Sequence, residues 1–403
     1  MIAVFIMSTT VMRKRLAERN SEISSFHVME LLRRAKQLEA QGRDIIHMEI
    51  GEPDFPTPPT VIDAAIKHLQ TGQVKYTPAA GLPELQHKIA DFYQNRYKVT
   101  INHQRIFVTP GASGAFLLAF GVTLNPNEEL LMADPCYPCN SNFATLFGGK
   151  TKLIAVDAST RFQLTAQQIT ANWTPSTKGA LIASPSNPTG TLISPEEFKK
   201  TIDTVNNLGG CFYSDEIYHG LVYDTTAKTA LVYSDDVFVI NSFSKYFGMT
   251  GWRIGWLIVP EEFIEAAEKL AQNIYIATST QSQYAALAAF DENTLLELEN
   301  RRAEFAARRD FLYDSLIGLG FEIPIKPEGA FYIYANCKKF TDDSHQFALN
   351  FLEAEGVAIT PGIDFGRHEA HHTLRFAYTT SIAKMAIAME RLERFIKKGY
   401  LCL

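Results

Sequence analysis

The most constraining feature of this 403-residue chain is a series of short apolar runs, several of which lack the alternation of a half-exposed strand. Strands buried on both faces of a parallel sheet have this composition. Helical patterns lie between most of the runs, so the sequence predicts an α/β fold with a mostly parallel, seven-stranded sheet. The predicted strands are Ile106–Thr109, Glu129–Ala133, Lys152–Val156, Ala180–Ser184, Cys211–Ser214, Val237–Asn241 and Gly255–Val259.

The connection between the last two strands, residues 242–253, is too short for a parallel crossover helix of about a dozen residues or more. We therefore expect the Gly255 strand to run antiparallel to its neighbours. One helix start is well marked, because Ser194-Pro195-Glu196-Glu197 predicts a capping box. After residue 290 the pattern changes and predicts a smaller α+β domain. Further predicted elements are the helices Phe26–Gly42, Asn293–Leu319, Ser344–Glu355 and Ile382–Lys398, and the strands Ile45–Ile50, Ala330–Tyr334, Val357–Thr360 and Thr373–Tyr378.

Composition favours a cytoplasmic enzyme that binds neither nucleic acid nor membrane. The net charge of −6 offers no attraction for polyanions, and no apolar run approaches the length of a membrane span. The apolar start, Met1–Met7, is short and has no preceding basic stretch, so we expect no signal peptide, and Met7 also fits as the natural start. Five sparse cysteines indicate a reducing compartment without structural disulfides.

A lysine in a turn rich in glycine and hydroxyl groups is the first candidate for chemistry. The segment Ser242-Phe243-Ser244-Lys245 follows one predicted strand, and Arg253 precedes the next. Crowding by Arg253 and partial burial would lower the pKa of the Lys245 amine and keep it nucleophilic near neutral pH. Such an amine suits a Schiff base to an aldehyde cofactor. Taken alone, Lys245 is also consistent with a solvated loop lysine.

Two loops that follow predicted strands offer groups for a phosphorylated, planar ligand. Gly111-Ala112-Ser113-Gly114 opens an apolar helix, where free N–H groups and the positive end of the dipole suit a phosphate. Tyr137 follows the Glu129 strand at the sheet edge where ligands of open α/β folds bind, and its ring can stack on a planar cofactor. An ordinary tight turn and a packed loop tyrosine are the alternatives.

Two further loops supply polar side chains at the same edge. Asn187 lies between two prolines, which restrict its backbone and aim its amide. Asp215 ends the Cys211 strand and could keep a ring nitrogen protonated, while Tyr218 could reach a phenolic oxygen; Glu216 is expected to be exposed or salt-bridged. Phosphate, ring face, ring oxygen, ring nitrogen and aldehyde are the groups of pyridoxal 5′-phosphate.

With these motifs in place, the sequence resembles the class I aminotransferases of pyridoxal-phosphate fold type I, the aspartate aminotransferase family. The resemblance runs from about Ser25 to the C-terminus. It rests on Gly51-Glu52-Pro53-Asp54, Lys75-Tyr76-Thr77-Pro78, Ser184–Gly190, Asp215–Tyr218, Ser242–Arg253 and Arg375. It implies an N-terminal arm (1–24), a small domain (25–56 with 291–403) and a large cofactor-binding domain (57–290).

The resemblance also implies residue roles. Lys245 would bond to the cofactor aldehyde and then shuttle a proton, Asp215 would hold the pyridinium proton, and Tyr218 would complete the catalytic set. The implied cofactor-binding residues are Ala112, Ser113, Tyr137, Asn187, Asp215, Tyr218, Ser242, Lys245, Arg253 and Tyr76, the last reaching the neighbouring subunit of a homodimer. The implied substrate-binding residues are Gly51, Asn187 and Arg375, with Arg375 as a bidentate clamp for the α-carboxylate.

The implied activity is transfer of an amino group between an amino acid and a 2-oxo acid, with aspartate, alanine or aromatic donors all open. An eliminating lyase, such as a C–S lyase, would carry the same cofactor motifs and is the alternative. A non-enzymatic regulator would need a DNA-binding module, for which the arm before residue 25 is too short. Some aspartate-specific members have a lysine where this chain has Ser113, and no second arginine is identifiable as a side-chain reader. The loop His368–His372 contains metal-ligand residue types, but a solvated loop accounts for it.

Overall fold

A computed structural model describes residues 16–23 and 26–399 of the chain. Most of the predicted N-terminal arm, including both candidate start methionines, lies outside the described residues, as does Cys402. The other four cysteines are free thiols. In the described ranges, no helix combines the length and the apolar composition needed to cross a bilayer.

The helices confirm the predicted alternation with strands. In chain order they are α1 His27–Ala40, α2 Pro59–Gln70, α3 Pro83–Tyr97, α4 Gly111–Thr123, α5 Cys139–Leu146, α6 Ala166–Asn172, α7 Pro195–Asn207, α8 Ile264–Ile274, α9 Thr280–Leu287, α10 Glu292–Leu319, α11 Ser344–Glu355 and α12 Ile382–Lys397. The long charged helix α10 ends at Gly320 in the left-handed conformation, as a glycine stop signal predicts.

Within residues 16–23 and 26–399, the strands form three separate sheets. In chain order they are β1 Ile46–His47, β2 Ile106–Thr109, β3 Glu129–Asp134, β4 Lys150–Ala155, β5 Thr177–Ala183, β6 Cys211–Asp215, β7 Phe238–Ser242, β8 Gly255–Ile258, β9 Tyr332–Asn336, β10 Val357–Ala358, β11 Thr360–Pro361 and β12 Thr373–Ala377. The predicted strand Ile45–Ile50 is thus much shorter than expected.

The central sheet has seven strands in the order β2-β8-β7-β6-β5-β3-β4. All neighbours are parallel except β8, which runs antiparallel to both β2 and β7. The short connection 242–253 therefore joins two antiparallel strands, as the sequence predicted. Strands β2, β7 and β8 of this sheet are buried at every position, which explains why their sequences do not alternate.

The single predicted strand Val357–Thr360 is wrong, because the structure divides it into β10 and β11. β10 pairs in parallel with β1, whereas β11 pairs antiparallel with β12 in a second small sheet of order β11-β12-β9. The β1–β10 pair joins the N-terminal segment to the C-terminal one.

The predicted capping of α7 is confirmed in one half and corrected in the other. Ser194 accepts the N–H of Glu197 at the start of α7, as predicted. The carboxylate of Glu197 does not return to Ser194; it accepts the N–H of Ala166 at the start of α6. The reciprocal capping box belongs instead to Thr165 and Gln168.

Candidate active site

One cavity lies at the carboxyl ends of the parallel strands and receives most of the predicted site residues. This is where open α/β folds bind ligands. The predicted residues that line it are Gly51, Ala112, Ser113, Tyr137, Asn187, Asp215, Tyr218, Lys245, Arg253 and Arg375. Ser242 and Tyr76 do not line it. Loops far apart in sequence thus converge on one site, although each motif alone was open to a more ordinary interpretation.

The Lys245 amine lies within this cavity and donates a hydrogen bond to the Gly51 carbonyl oxygen at 2.5 Å. Burial lowers the pKa of Lys245 to about 8, and the positive charge of Arg375 lowers it further than that of Arg253 does. The predicted direction is confirmed, but the main causes are desolvation and Arg375 rather than crowding by Arg253. A substantial fraction of such an amine is unprotonated and nucleophilic near neutral pH.

Asp215, at the end of β6, is buried in the same cavity. Its carboxylate accepts the N–H of Ile217 at 3.2 Å. Burial raises the pKa of Asp215 to about 7, while the N–H of Ile217 and the charge of Lys245 oppose the rise. A cationic N–H partner would favour the charged carboxylate, which burial alone disfavours.

Glu216 corrects one expectation, because the structure buries it completely rather than exposing it. Its Oε1 accepts hydrogen bonds from Ser214, Thr229 and the N–H of Ala230 at 2.9–3.0 Å. His219 Nδ1 lies 3.3 Å from Oε2, but burial lowers the pKa of His219 to about 3 and raises that of Glu216 to about 8. Two neutral side chains fit these shifts better than a salt bridge, and Glu216 Oε2 is buried without a hydrogen-bond partner.

The start of α4 forms the second end of the cavity. Ala112 and Ser113 lie in its first turn, and glycines keep the surrounding backbone close. A Cβ on Gly111 would lie 2.5 Å from Arg253 Nη2, and one on Gly255 would lie 2.8 Å from the Gly111 carbonyl carbon. Arg253 is therefore held against a helix N-terminus, an arrangement that binds anions.

Two serines of the Lys245 turn lie next to this end of the cavity. Ser242 is buried, and its hydroxyl has two acceptors within reach. These are the Ile254 carbonyl oxygen at 3.1 Å and Ser244 Oγ at 2.9 Å. Ser242 Oγ also accepts the N–H of Ser244. Ser244 itself lines the cavity. Ser242 thus shapes the turn, and Ser244 is the serine that faces the cavity.

Arg375 is buried at the opposite end and has one unpaired donor. Nη1 donates to Asn187 Oδ1 at 3.0 Å, and Nη2 donates to the Glu49 carbonyl oxygen at 2.5 Å. Its Nε is buried without a hydrogen-bond partner. The guanidinium lies 4.2 Å from the ring centroid of Tyr332 and 4.7 Å from that of Phe365. Because unpaired buried donors are costly, the free Nε is consistent with a site for an anionic ligand.

Sequence reasoning missed several residues of this cavity. The hydroxyl groups of Tyr332 and Tyr218 share a hydrogen bond of 2.9 Å, in which either can be the donor. A Cβ on Gly51 would lie 1.8 Å from the Tyr332 hydroxyl, so only glycine fits there. The other missed lining residues include Ser244, Asp364, Phe365, Phe116, Phe143 and, from the start of α1, Phe26, Val28, Met29 and Leu32. Ser244 lies within the Ser242–Arg253 motif but received no role of its own, and none of the others belongs to a local motif that a sequence signal could have identified.

Two tyrosines have different surroundings. Tyr137 is half-exposed and stacks on Phe26, with ring centroids 6.3 Å apart and an interplanar angle of 15°. Tyr76 is 83% exposed and lies outside the cavity of its own chain.

In the predicted His-rich loop, His372 pairs with Glu369 and Asp342, as a solvated surface loop would.

Residues 43–392 match the family model for aminotransferases of class I and II. The chain belongs to this family. It is 36% identical to the (5-formylfuran-3-yl)methyl phosphate transaminase of Methanocaldococcus jannaschii, over 95% of this chain and 100% of that one. It is also 36% identical to the valine–pyruvate aminotransferase of Mycobacterium tuberculosis, over 92% and 96% of the two chains. A crystal structure of an aminotransferase from Mycobacterium tuberculosis superposes with a TM-score of 0.92, at 36% identity over 95% and 99% of the chains.

The family membership gives the activity its general form. This aminotransferase is an enzyme that moves an amino group between an amino acid and a 2-oxo acid. Its seven-stranded, mostly parallel sheet flanked by helices is the fold that the resemblance implied.

Proposed function

We propose that the cavity binds pyridoxal 5′-phosphate and that Lys245 is its point of covalent attachment. The observation that carries this proposal is the placement of a lysine with a pKa lowered to about 8 and a buried aspartate with a pKa raised to about 7 in one cavity. The amine of Lys245 matches the cofactor aldehyde, and the carboxyl group of Asp215 matches the ring nitrogen. When bound, the cofactor would supply an aldehyde and a ring that withdraws electrons from the substrate carbon.

Side chains at both ends of the cavity fit the remaining groups. The first turn of α4, with Ser113, Ser244 and Arg253, would hold the phosphate, because N–H groups, a hydroxyl and a guanidinium favour a dianion. Tyr137 would cover one ring face. Asn187 and Tyr218 would bond the ring oxygen, and Asp215 would hold the proton of the ring nitrogen, which restores the charge that burial disfavours.

The chain's own groups can perform the proton transfer. With its amine free, Lys245 would take the proton from the substrate Cα onto Nζ and deliver it to the acceptor atom that the bound cofactor would supply. A base works best when its pKa lies near the working pH, and a value of about 8 satisfies this condition. Burial keeps water from competing for the same proton.

Arg375 would bind the substrate α-carboxylate. Its two Nη groups are already positioned by Asn187, Glu49 and Thr360, so little side-chain entropy is lost when a ligand arrives. The unpaired Nε is the donor that the carboxylate would satisfy.

We infer that the amino donor has an apolar or aromatic side chain. In the described part of the chain, the cationic residues that line the cavity are Lys245, Arg253 and Arg375, and each already has a role above. The remaining wall is rich in apolar side chains, among them Phe26, Val28, Met29, Leu32, Phe116 and Phe143. Among the groups that its own chain contributes, a distal carboxylate would have no free cation, which costs several kcal/mol relative to water. A panel of donors at equal concentration should show kcat/KM for leucine or phenylalanine above that for aspartate; the reverse order would reject this inference.

We further propose a homodimer in which Tyr76 completes the cavity of the neighbouring subunit. Apolar side chains on one face of α2 and in the loop after it are exposed in the single chain: Ile62, Ile66, Leu69 and Val74. An exposed apolar face beside an exposed tyrosine is typical of a protein interface. The division into a large part (57–290) and a small part (25–56 with 291–403) is supported by the β1–β10 pairing. A cytoplasmic location stays a prediction.

One experiment tests the covalent site and the reaction type together. Borohydride reduction followed by peptide mapping should place the cofactor label on Lys245, and Lys245→Ala should carry no label. Without an oxo-acid acceptor, the purified enzyme should release one oxo acid per site and no ammonia. A label on another lysine would reject the assignment of Lys245. Continuous release of ammonia would identify the eliminating lyase instead.

A further inference from the structure

Outside the active-site cavity, two histidines and a glutamate from separate helices lie together. His27 and Glu30 occupy one face of the first turn of α1, since residues three apart on a helix are neighbours. His345 is the second residue of α11. One ligand atom from each of the three lies within 4.8 Å of the other two, and the two imidazole centroids are 4.9 Å apart. Nε2 of His345 is buried and has no hydrogen-bond partner.

We propose that His27, Glu30 and His345 bind a divalent transition-metal ion of the Zn²⁺ type. Two imidazoles and one carboxylate, with water in the fourth position, form a common zinc ligand set. In a tetrahedral site the ligand atoms are about 3.3 Å apart. Small side-chain rotations would close the remaining distance, because Glu30 is exposed and the imidazoles are only partly buried.

The local charges allow a cation at this place. Two helix N-termini meet here, and their dipoles alone would repel a metal ion. Each N-terminus is already occupied by a carboxylate, however. Asp364 accepts the N–H groups of His27 and Val28, both at 2.7 Å. Asp343 accepts the N–H of His345 at 3.0 Å. These two carboxylates offset the helix dipoles and leave the three ligand side chains free to bind.

The ion would connect α1 to α11 beside the substrate wall. Val28, Met29 and Leu32, in the first two turns of α1, line the active-site cavity, as does Asp364. A metal bound at the first turn would hold this wall in place. The site would thereby link metal availability to the ordering of the region that contacts the amino donor.

The test uses the purified enzyme with its cofactor, dialysed against Zn²⁺ in a weak competing chelator, with metal content measured by atomic emission. The wild type should bind one Zn²⁺ per chain that is lost in Glu30→Gln and His345→Gln. Removing a group that only hydrogen-bonds to a metal ligand already lowers metal affinity by about 10- to 100-fold, so loss of a direct ligand should lower it about 100-fold or more. His371→Ala, in the predicted His-rich loop, is the matched control and should bind as the wild type does.

A second readout separates binding from misfolding. Zn²⁺ should raise the thermal melting temperature of the wild type and of His371→Ala, and should leave that of Glu30→Gln unchanged. Glu30 is exposed, so this variant should keep its secondary structure and cofactor absorbance. Equal zinc content in the wild type and in Glu30→Gln and His345→Gln, or loss of zinc in His371→Ala alone, would overturn the proposal.

Discussion

Lys245 and Asp215 are two buried ionisable groups whose pKa values move towards each other. Burial alone accounts for the direction of both, because it disfavours the charged form of an amine and of a carboxyl alike. The consequence is an acid and a base that both titrate near neutral pH. Such residues often mark functional sites, since stability alone would favour a different side chain at each position.

Asp215→Asn should therefore stabilise the cofactor-free protein at alkaline pH. The unfolded carboxyl titrates at its ordinary value of 3.8 and the folded one at about 7, so the folded state binds more protons between these values and loses stability as pH rises through this range. Above pH 7 the cost is on the order of 4 kcal/mol. Urea denaturation at pH 5 and pH 8.5 should show that the variant gains clearly more stability at the higher pH, while its turnover falls sharply. An equal change at both pH values would contradict the assigned shift.

Arg375→Lys should weaken substrate binding and leave cofactor binding intact. Lysine keeps the positive charge but loses the fork that holds a carboxylate with two hydrogen bonds. One charge-assisted hydrogen bond contributes about 1.5–3 kcal/mol, so KM for the amino donor should rise about 10- to 100-fold. Steady-state kinetics and the cofactor absorbance check both parts. Arg394→Lys, on the half-exposed end of α12, is the control and should behave as the wild type. A parallel loss of cofactor would show that Arg375 acts on the fold rather than on the substrate.

At the scale of elements, the order and kind of the strands and helices were predictable, but their pairing was not. The antiparallel direction of β8 followed from the length of one connection. In contrast, β10 and β11 form one apolar run in the sequence, and only distant partners, β1 and β12, divide them. The Glu197 side chain likewise prefers a backbone N–H of another helix over its own. Local sequence patterns contain no information about which distant strand or backbone N–H becomes the partner.

Gly255→Ala should disturb the contact between β8 and the start of α4. The added Cβ would lie 2.8 Å from the Asn241 carbonyl oxygen and 3.0 Å from the Ala112 nitrogen, both backbone atoms that cannot rotate away. Overpacking of this kind costs about 1–3 kcal/mol, so cofactor affinity should fall about tenfold or more as the helix start shifts. Gly251→Ala is the matched control in the same connection, because nothing lies within 4 Å of its Cβ. Fluorescence titration of the cofactor-free proteins measures both. Equal affinity in the two variants would contradict the proposed phosphate position.

For the molecule as a whole, the predicted part of the site is the part that sheet topology brings together. Asp215 and Tyr137 follow parallel strands, and the carboxyl ends of such strands meet at one edge. Tyr332, Phe365 and the start of α1 arrive from segments far away in sequence. Their positions depend on how the small sheets pack against the large one, which no periodicity or turn signal expresses.

The proposed dimer predicts that two inactive variants restore each other's activity. Tyr76→Ala should lose most cofactor affinity and Lys245→Ala all turnover. If Tyr76 serves the neighbouring subunit, a mixed dimer of the two variants contains one site with both residues intact. Co-refolded mixtures should then recover up to about a quarter of wild-type activity, since half the dimers are mixed and each has one of two sites. Mixtures that stay inactive, although mixed dimers form, would place Tyr76 in its own chain's site or in none.

Lys245 and Arg253 both belong to the single connection between β7 and β8, whereas Phe26, Val28, Met29 and Leu32, four of the six apolar wall residues named above, come from the distant segment 26–32. The groups proposed for the reaction and those proposed to select the donor are therefore encoded separately. An engineer could exchange the seven residues from Phe26 to Leu32 without altering any strand of the central sheet. The same chemistry could in this way be redirected to a new amine by editing one short stretch of the gene.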